Sequence, residues 1–463
     1  MMASPFVHIV TLGCARNETD SEQLAGHLLA DGMTLTDDPS QADVLLVNTC
    51  GFIDAAKKDS IDTLLSLADV AALRPQAKIV ATGCMAQRYG AELADSLPEL
   101  DAVLGFADYA DIGARLRDVL DGKRPVPPVQ RDARHATAAL ADVDDEPSSP
   151  LQTFRRARLE SGPYAPLKIA SGCDRQCAFC AIPSFRGSYR SRPADDIVAE
   201  ARWLVANGVR EIMLVSENSS SYGKDFGNRR ALESLLGQLS DVDGLDWVRV
   251  SYLQPAEITP GLLDAMANTA NVVPYFDLSF QHASGALLRR MRRFGDASSF
   301  LDLLAQVRDR CPTAGVRTSV IVGFPGETND DIAVLHDFLG ASRADAIGVF
   351  AYSDEEGTEA YGLDNHLPDD VIAERADDTR DLATWLTETR AAERLGELVQ
   401  VLVESVDEGV TGRAAHQGPE VDGATTLTWP SGVPLPSIGD LVWAHVTQTD
   451  GVDLIAKPTA VPA

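Results

Sequence analysis

Cys173-Asp174-Arg175-Gln176-Cys177-Ala178-Phe179-Cys180 places three thiols in one short loop, and it starts three residues after an apolar run, 166–170, that reads as a β-strand. Five more strand-like runs follow at 210–216, 246–253, 275–281, 316–322 and 345–352. Helical patterns with charged faces separate them, as at 194–207, 297–310 and 329–340. Six βα units over 159–390 predict a partial (βα)6 barrel, whose chemistry gathers at the carboxyl ends of its strands. The thiol-rich loop falls at that mouth.

On the amino-terminal side, 5–121 repeats one pattern. Apolar runs from Phe6 to Leu12, Val44 to Val47 and Lys78 to Ala81 end in Cys14, Cys50 and Cys84, spaced by 36 and 34 residues. Helical stretches such as 54–68 intervene, so the segment predicts a parallel sheet with the three thiols at neighbouring strand ends. Two of these cysteines follow glycine, which lets a bound group approach the backbone closely. A fourth run, Ala102 to Phe106, predicts one more strand. Residues 122–158 are rich in Pro, Ala and Asp without periodicity and read as a linker. On the other side, 392–460 changes to short β runs at 398–405, 424–429 and 441–447 with Gly and Pro turns, which predicts a small β-barrel. The expected fold class is α/β multidomain.

The chain has 463 residues, enough for about three domains, and its 45% apolar content supplies their cores. Sixty-nine acids against forty bases give a net charge of −29, which argues against a general polyanion binder. No apolar run approaches the ~20 residues of a membrane span, and the start lacks a signal-peptide pattern, so the expected setting is soluble and cytoplasmic. Seven cysteines, grouped in threes with Cys311 apart, are not arranged as a disulfide framework. Cys311, before Pro312, reads as structural.

Three closely spaced thiolates can hold three irons of a cubane [4Fe-4S] cluster and leave the fourth iron open to chelate S-adenosyl-L-methionine. Electron transfer into the sulfonium then yields a 5′-deoxyadenosyl radical, with the barrel positioning the reactants and excluding water. Structural zinc is the competing reading. It normally wants four protein ligands, and only His282 offers itself as a distant fourth. Cys14, Cys50 and Cys84 admit a packing reading, since free cysteine is often buried. Three strand ends of three ending in cysteine favour a second three-ligated cluster.

This combination resembles the methylthiotransferase family of radical S-adenosylmethionine enzymes, across nearly the whole chain. The resemblance implies a radical-generating cluster on Cys173, Cys177 and Cys180, an auxiliary cluster on Cys14, Cys50 and Cys84, and a carboxyl-terminal TRAM barrel. It implies two uses of S-adenosyl-L-methionine, one as methyl donor and one as radical source. It also implies a low-potential electron donor such as flavodoxin or ferredoxin, and a sulfur donor. Within the family, one branch modifies tRNA adenosine and another modifies an aspartate of small-subunit ribosomal protein twelve, free or on the ribosome. The stretches 48–56, Ile182-Pro183-Ser184-Phe185-Arg186-Gly187, Gln281-His282-Ala283-Ser284 and 352–358 resemble the protein-modifying branch. Charge agrees: residues 392–463 carry ten acids against Arg394, Arg413 and Lys457, about −7, which repels a phosphate backbone and attracts a basic protein. A zinc-bound ribosome- or RNA-binding scaffold is the alternative of another class.

Softer assignments complete the reading. Phe179, between two cysteines, suits contact with cofactor or core. Gly323 and Gly326 in Gly323-Phe324-Pro325-Gly326-Glu327 suit either an approach to the adenosine or an ordinary turn. Glu217, after the second strand, stands where family members bind the methionyl amino group, although Ser216-Glu217-Asn218 departs from their usual residues. Gln281 and His282 end the fourth strand, and His282 suits either substrate contact or a structural hydrogen bond. Asp174 and Arg175 read as solvated or loop-capping residues. Arg155-Arg156-Ala157-Arg158 and Arg289-Arg290-Met291-Arg292-Arg293 read as exposed charge or as docking for ribosomal RNA or substrate.

Overall fold

The computed structural model describes residues 4–74, 76–128, 156–419 and 421–459, so most of the proposed linker, and Arg155 with it, lies outside the described residues. The amino-terminal unit is a parallel sheet of β1 (Phe6–Thr11), β2 (Thr34–Leu35), β3 (Val44–Thr49), β4 (Lys78–Thr82) and β5 (Ala102–Val103), in the order β2-β1-β3-β4-β5. Every residue of the central strand β3 is buried. Helices cover both faces of such a sheet, so a central strand has no solvent side and β3 is continuously apolar from Val44 to Val47 before Asn48 and Thr49. Two details differ from the sequence reading. The run beginning at Ala102 pairs for only two residues before a 3-10 turn at Phe106–Asp108, and the edge strand β2 was too short to leave a pattern.

The central unit has the six anticipated strands: β6 (Tyr164–Lys168), then, beyond a small antiparallel pair β7 (Ala170–Ser171) and β8 (Arg190–Ser191), β9 (Glu211–Val215), β10 (Trp247–Val250), β11 (Tyr275–Gln281), β12 (Gly315–Val322) and β13 (Ala346–Ala351). They form two parallel three-stranded halves, β10-β9-β6 and β11-β12-β13, joined by parallel bridges Val248–Val272 and Leu253–Leu278. Two of the outer helices start on reciprocal side-chain caps. Asp296 and Ser299 form a reciprocal capping box for Ala297–Arg310, and Thr328 and Asp331 do so for Asn329–Ser342. One continuous core fills the space between strands and helices.

A long helix, Asp369–Glu393, leads into a closed barrel of β14 (Leu398–Ser405), β15 (Val410–Ala414), β16 (Thr425–Leu427), β17 (Leu441–Asp450) and β18 (Asp453–Pro458), in the order β14-β15-β16-β18-β17. Sequence patterning missed β15 and β18. Two of five residues in β15 are Gly and Ala, and β18 ends in Lys-Pro, so neither alternates strongly. Buried ion pairs seat this barrel on the central unit. Glu211 holds Arg249 and Arg413, each at 2.6 Å, and Asp422 joins Arg317 at 2.7 Å with the Tyr275 hydroxyl at 2.5 Å.

Within the first basic patch, Arg156 is neither free charge nor a docking residue. Arg156 is buried, donating to Glu22 (2.6 Å), Glu200 (2.7 Å) and the Pro166 carbonyl (2.8 Å), and so staples the amino-terminal unit to the central one. The second patch is divided. Arg293 is buried beneath the thiol loop, while exposed Arg292 pairs with Glu359 at 2.6 Å.

Candidate active site

Chain topology gathers the first three thiols. Cys14, Cys50 and Cys84 follow β1, β3 and β4, which are adjacent and parallel, so one edge of the sheet receives all three. The preceding glycines are required by the protein's own crowding rather than by a bound group. Gly13 has φ +106°, and a Cβ there would meet the Cys50 Cβ at 2.9 Å and its Sγ at 3.0 Å. Gly83 has φ +91°, and a Cβ would strike Asn48 Oδ1 at 2.3 Å and the Thr49 carbonyl at 2.6 Å. Cys14 then occupies the N-cap position of the helix Ala15–Ala30, and Cys84 lies in the first turn of Gly83–Ser96.

The second trio is gathered locally. Gly172, at φ +80°, turns the chain after β7, where a Cβ would meet the Ser188 carbonyl at 2.2 Å. The loop is tied by Cys173 N–H to the Gly187 carbonyl, Ala178 N–H to the Met291 carbonyl and Cys180 N–H to the Cys177 carbonyl. Asp174 caps it by accepting from Tyr189 N–H at 2.9 Å, and Arg175 pairs with Glu257 at 2.5 Å.

Between the trios lies a buried charged layer. Arg16 Nη1 stands 3.1 Å from Glu217 Oε1, with its guanidinium over the Tyr252 ring at 5.3 Å. Arg186 Nε approaches the same oxygen at 3.5 Å, and its Nη2 reaches Cys84 Sγ at 3.1 Å. Beside this layer, Cys84 packs on Ala181 and Phe185, directly after Cys180. Neither oxygen of Glu217 makes an aligned hydrogen bond among the described residues, and Arg16 Nε is equally unsatisfied although buried. Such groups are costly to bury without partners, which marks the layer as built for something more than packing.

Burial is the largest influence on every thiol with a resolved shift. It pushes Cys50 and Cys173 up to about 11 and Cys180 up to about 12, and it raises Cys84. Cys14 alone goes down, because the charges of Arg16 and Arg186 and the Asn17 N–H outweigh its burial. Thiols this dry become thiolates when a cationic centre arrives, which fits an iron–sulfur cluster. Structural zinc normally takes four protein ligands, and neither trio brings a fourth cysteine with it. Two sets of three thiols, each short of a fourth ligand, fit two cubanes with an open iron.

The softer candidates separate. Glu217 lies between the trios. Phe179 is partly buried against the barrel core. Gln281 sits at φ +71° beside a bulge that closes β11, a strained backbone for a residue with a side chain. His282 has no exposed surface; Nδ1 accepts from Ser284 N–H at 3.0 Å, and Nε2 faces Glu327 at 3.5 Å. Gly323 and Gly326, both at positive φ, turn against Ile372 and the Arg290 guanidinium. A cleft of about 680 Å³ opens beside the thiol loop, lined in part by Arg175, Asn218, Glu257, Arg292 and Phe294. Arg16 and Tyr252 escaped the sequence reading, and Arg186 entered it only within the stretch 182–187, with no role of its own. The only signals were Arg16 two residues after Cys14 and Arg186 soon after Cys180.

Three family models match the chain in order: uncharacterized protein family UPF0004 over residues 6–105, the Radical SAM superfamily over 167–339 and the TRAM domain over 395–458. Similar proteins include the ribosomal protein uS12 methylthiotransferase RimO of Cutibacterium acnes, 57% identical over 98% of each chain. The protein of that name from Kineococcus radiotolerans is 56% identical over 98% of this chain and 97% of its own. That from Streptomyces coelicolor is 54% identical over 99% and 97%. Among solved structures, the radical S-adenosylmethionine methyltransferase TsrM from Kitasatospora setae has a TM-score of 0.53 at 16% identity, covering 76% of this chain and 74% of that one, a likeness of fold.

Proposed function

The chain belongs to the RimO family of ribosomal protein uS12 methylthiotransferases, and from that premise we propose that it attaches a methylthio group to the β-carbon of an aspartate in uS12. The observation that supports the reading is the buried charged layer of Arg16, Glu217 and Arg186, with one thiol trio delivered to it by the end of a sheet and the other by a barrel loop.

In this reading Cys173, Cys177 and Cys180 hold one [4Fe-4S] cluster, and Cys14, Cys50 and Cys84 hold the other. When bound, the clusters and S-adenosyl-L-methionine supply a carbon radical, a sulfur and a methyl group. The chain contributes position and dryness. Gly13, Gly83 and Gly172 fix where the thiols emerge, and the glycine turn Gly323–Gly326 shapes the mouth. Glu217 offers an anionic oxygen pair between the trios, suited to an ammonium. His282 braces the end of β11 by accepting from Ser284 N–H and acts as a positioning residue.

The small barrel suits a basic protein better than a nucleic acid. Arg394 is consumed by Asp345 and Glu397, and Arg413 by Glu211 and Glu404, leaving little positive surface for a phosphate backbone. The tRNA-modifying alternative is not favoured, since the relatives named above are uS12 enzymes. No described helix is long and apolar enough to cross a membrane, which accords with work on ribosomes or newly made uS12 in the cytoplasm. A flavodoxin- or ferredoxin-class donor would supply electrons, and a separate sulfur donor would replenish sulfur.

The test is anaerobic turnover of the reconstituted protein with uS12, S-adenosyl-L-methionine and a low-potential reductant, followed by intact mass. A single methylthio gain on uS12, absent when its target aspartate is replaced, is expected. Methylthiolation of tRNA with none on uS12 would overturn the reading.

A further inference from the structure

Arg186 ends the helix Ile182–Arg186, just after the barrel's thiol loop, yet its guanidinium is buried among residues of the amino-terminal unit. Nη2 donates to Cys84 Sγ at 3.1 Å, Asn17 Oδ1 at 3.1 Å and Asp20 Oδ2 at 3.2 Å, while the group lies over the Phe106 ring at 4.8 Å. Glu217, a further close charge that it shares with Arg16, belongs to the barrel unit. Adhesion between the units does not explain the sulfur contact. Asp20 already has Lys168 at 2.6 Å, and Arg156 staples the same two units through Glu22 and Glu200.

A donor hydrogen bond and a fixed positive charge at a ligand sulfur withdraw electron density, and they stabilise the more negative, reduced state of an attached cluster. The effect is large where water is excluded. The barrel trio has a longer counterpart: Arg293 Nη1 donates to Cys177 Sγ at 3.8 Å, against 3.1 Å for Arg186 and Cys84, and its Nη2 is spent on the Ser279 carbonyl. We propose that Arg186 is a positioning residue lent by the barrel unit to the sheet-edge trio, where its hydrogen bond to Cys84 raises the reduction potential of the auxiliary cluster. The inference rests on the reading of Cys14, Cys50 and Cys84 as cluster ligands. It makes the finished redox properties of that centre depend on docking of the two units. Lysine keeps the charge but not the planar guanidinium over Phe106 that sets Nη2 among sulfur, amide and carboxylate.

The test is an EPR-monitored redox titration of full-length, anaerobically reconstituted wild type, Arg186→Lys and Arg186→Gln, with Phe185→Leu as a control that loosens the same interface without removing a donor. The auxiliary midpoint is expected to fall in both arginine variants, further for Gln than for Lys, while the radical-cluster midpoint and the Phe185→Leu protein stay at wild-type values. Where Arg186→Gln loses a cluster, the charge-keeping Lys variant carries the measurement. An unmoved auxiliary midpoint, an equal displacement of both centres, or an equal fall in Phe185→Leu would overturn the proposal. Wild type holding a single cluster would instead bring down the functional reading beneath it.

Discussion

The two thiol trios are assembled by opposite routes. The barrel trio is written in eight consecutive residues and needs only a turn to converge. The sheet-edge trio is spread over some seventy residues and exists only because β1, β3 and β4 become neighbours. Their surroundings differ as well. The sheet-edge trio has the Arg186 guanidinium 3.1 Å from Cys84 and the charge of Arg16 beside Cys14, whereas in the barrel trio the Arg293 guanidinium stands farther off, 3.8 Å from Cys177, and burial pushes Cys180 up to about 12. A local motif therefore tolerates drift elsewhere in the fold, while a topological one depends on every strand that builds it.

The largest expected contrast is functional. Cys177→Ala should abolish reductive cleavage of S-adenosyl-L-methionine, and Cys50→Ala should keep cleavage while losing methylthiolation, both read from product analysis of the air-free enzyme. Equal loss of cleavage in the two variants would remove the division of labour between the trios. Next comes stability at the barrel junction. Arg413→Ala leaves Glu211 and Glu404 short of a buried partner and should cost about 3 kcal/mol in urea denaturation.

Glycine substitutions follow. Gly83→Ala forces a Cβ onto Asn48 and Thr49 and should cost about 2–3 kcal/mol, and Gly172→Ala a similar amount. Gly32→Ala, at φ +80° in open space, should cost about 1 kcal/mol. The first should also lower iron uptake at the sheet-edge trio alone, and the second at the barrel trio alone. Iron analysis beside the melts separates these outcomes. The smallest effect is acid sensitivity. Burial works against the Glu211 charge, but Arg249 and Arg413 outweigh it and hold its carboxyl below the usual range. Its contribution is therefore complete above the ordinary glutamate value of about 4.3. That stability is lost as pH falls through the lower folded value. Urea midpoints measured on stepwise acidification should show this loss in wild type and a shallower one in Arg413→Ala.

Periodicity made the frame legible. The six barrel strands, the three cysteine-ended strands and the closing β-barrel all follow from apolar runs of the right length. The short β2, the truncated β5, and β15 and β18 did not, because two-residue pairing or weak alternation leaves no period to detect. The six cysteines were legible as chemistry because thiols at strand ends and in a tight loop have few uses. The layer between them was not: Arg16 with Glu217 and Arg186 with Asp20 are charge pairs across some 170 to 200 residues, and no local pattern encodes them. Arg156 taught the converse. A run of arginines looks like surface until the structure supplies Glu22 and Glu200.

The most direct measurement is Mössbauer and EPR spectroscopy, with iron and sulfide analysis, on air-free wild type beside Cys50→Ala. The account predicts about eight irons in two cubanes, each with one distinct iron site, falling to about four in the variant with the barrel cluster intact. A single cluster in wild type, or a Cys50→Ala protein still holding both, would contradict it.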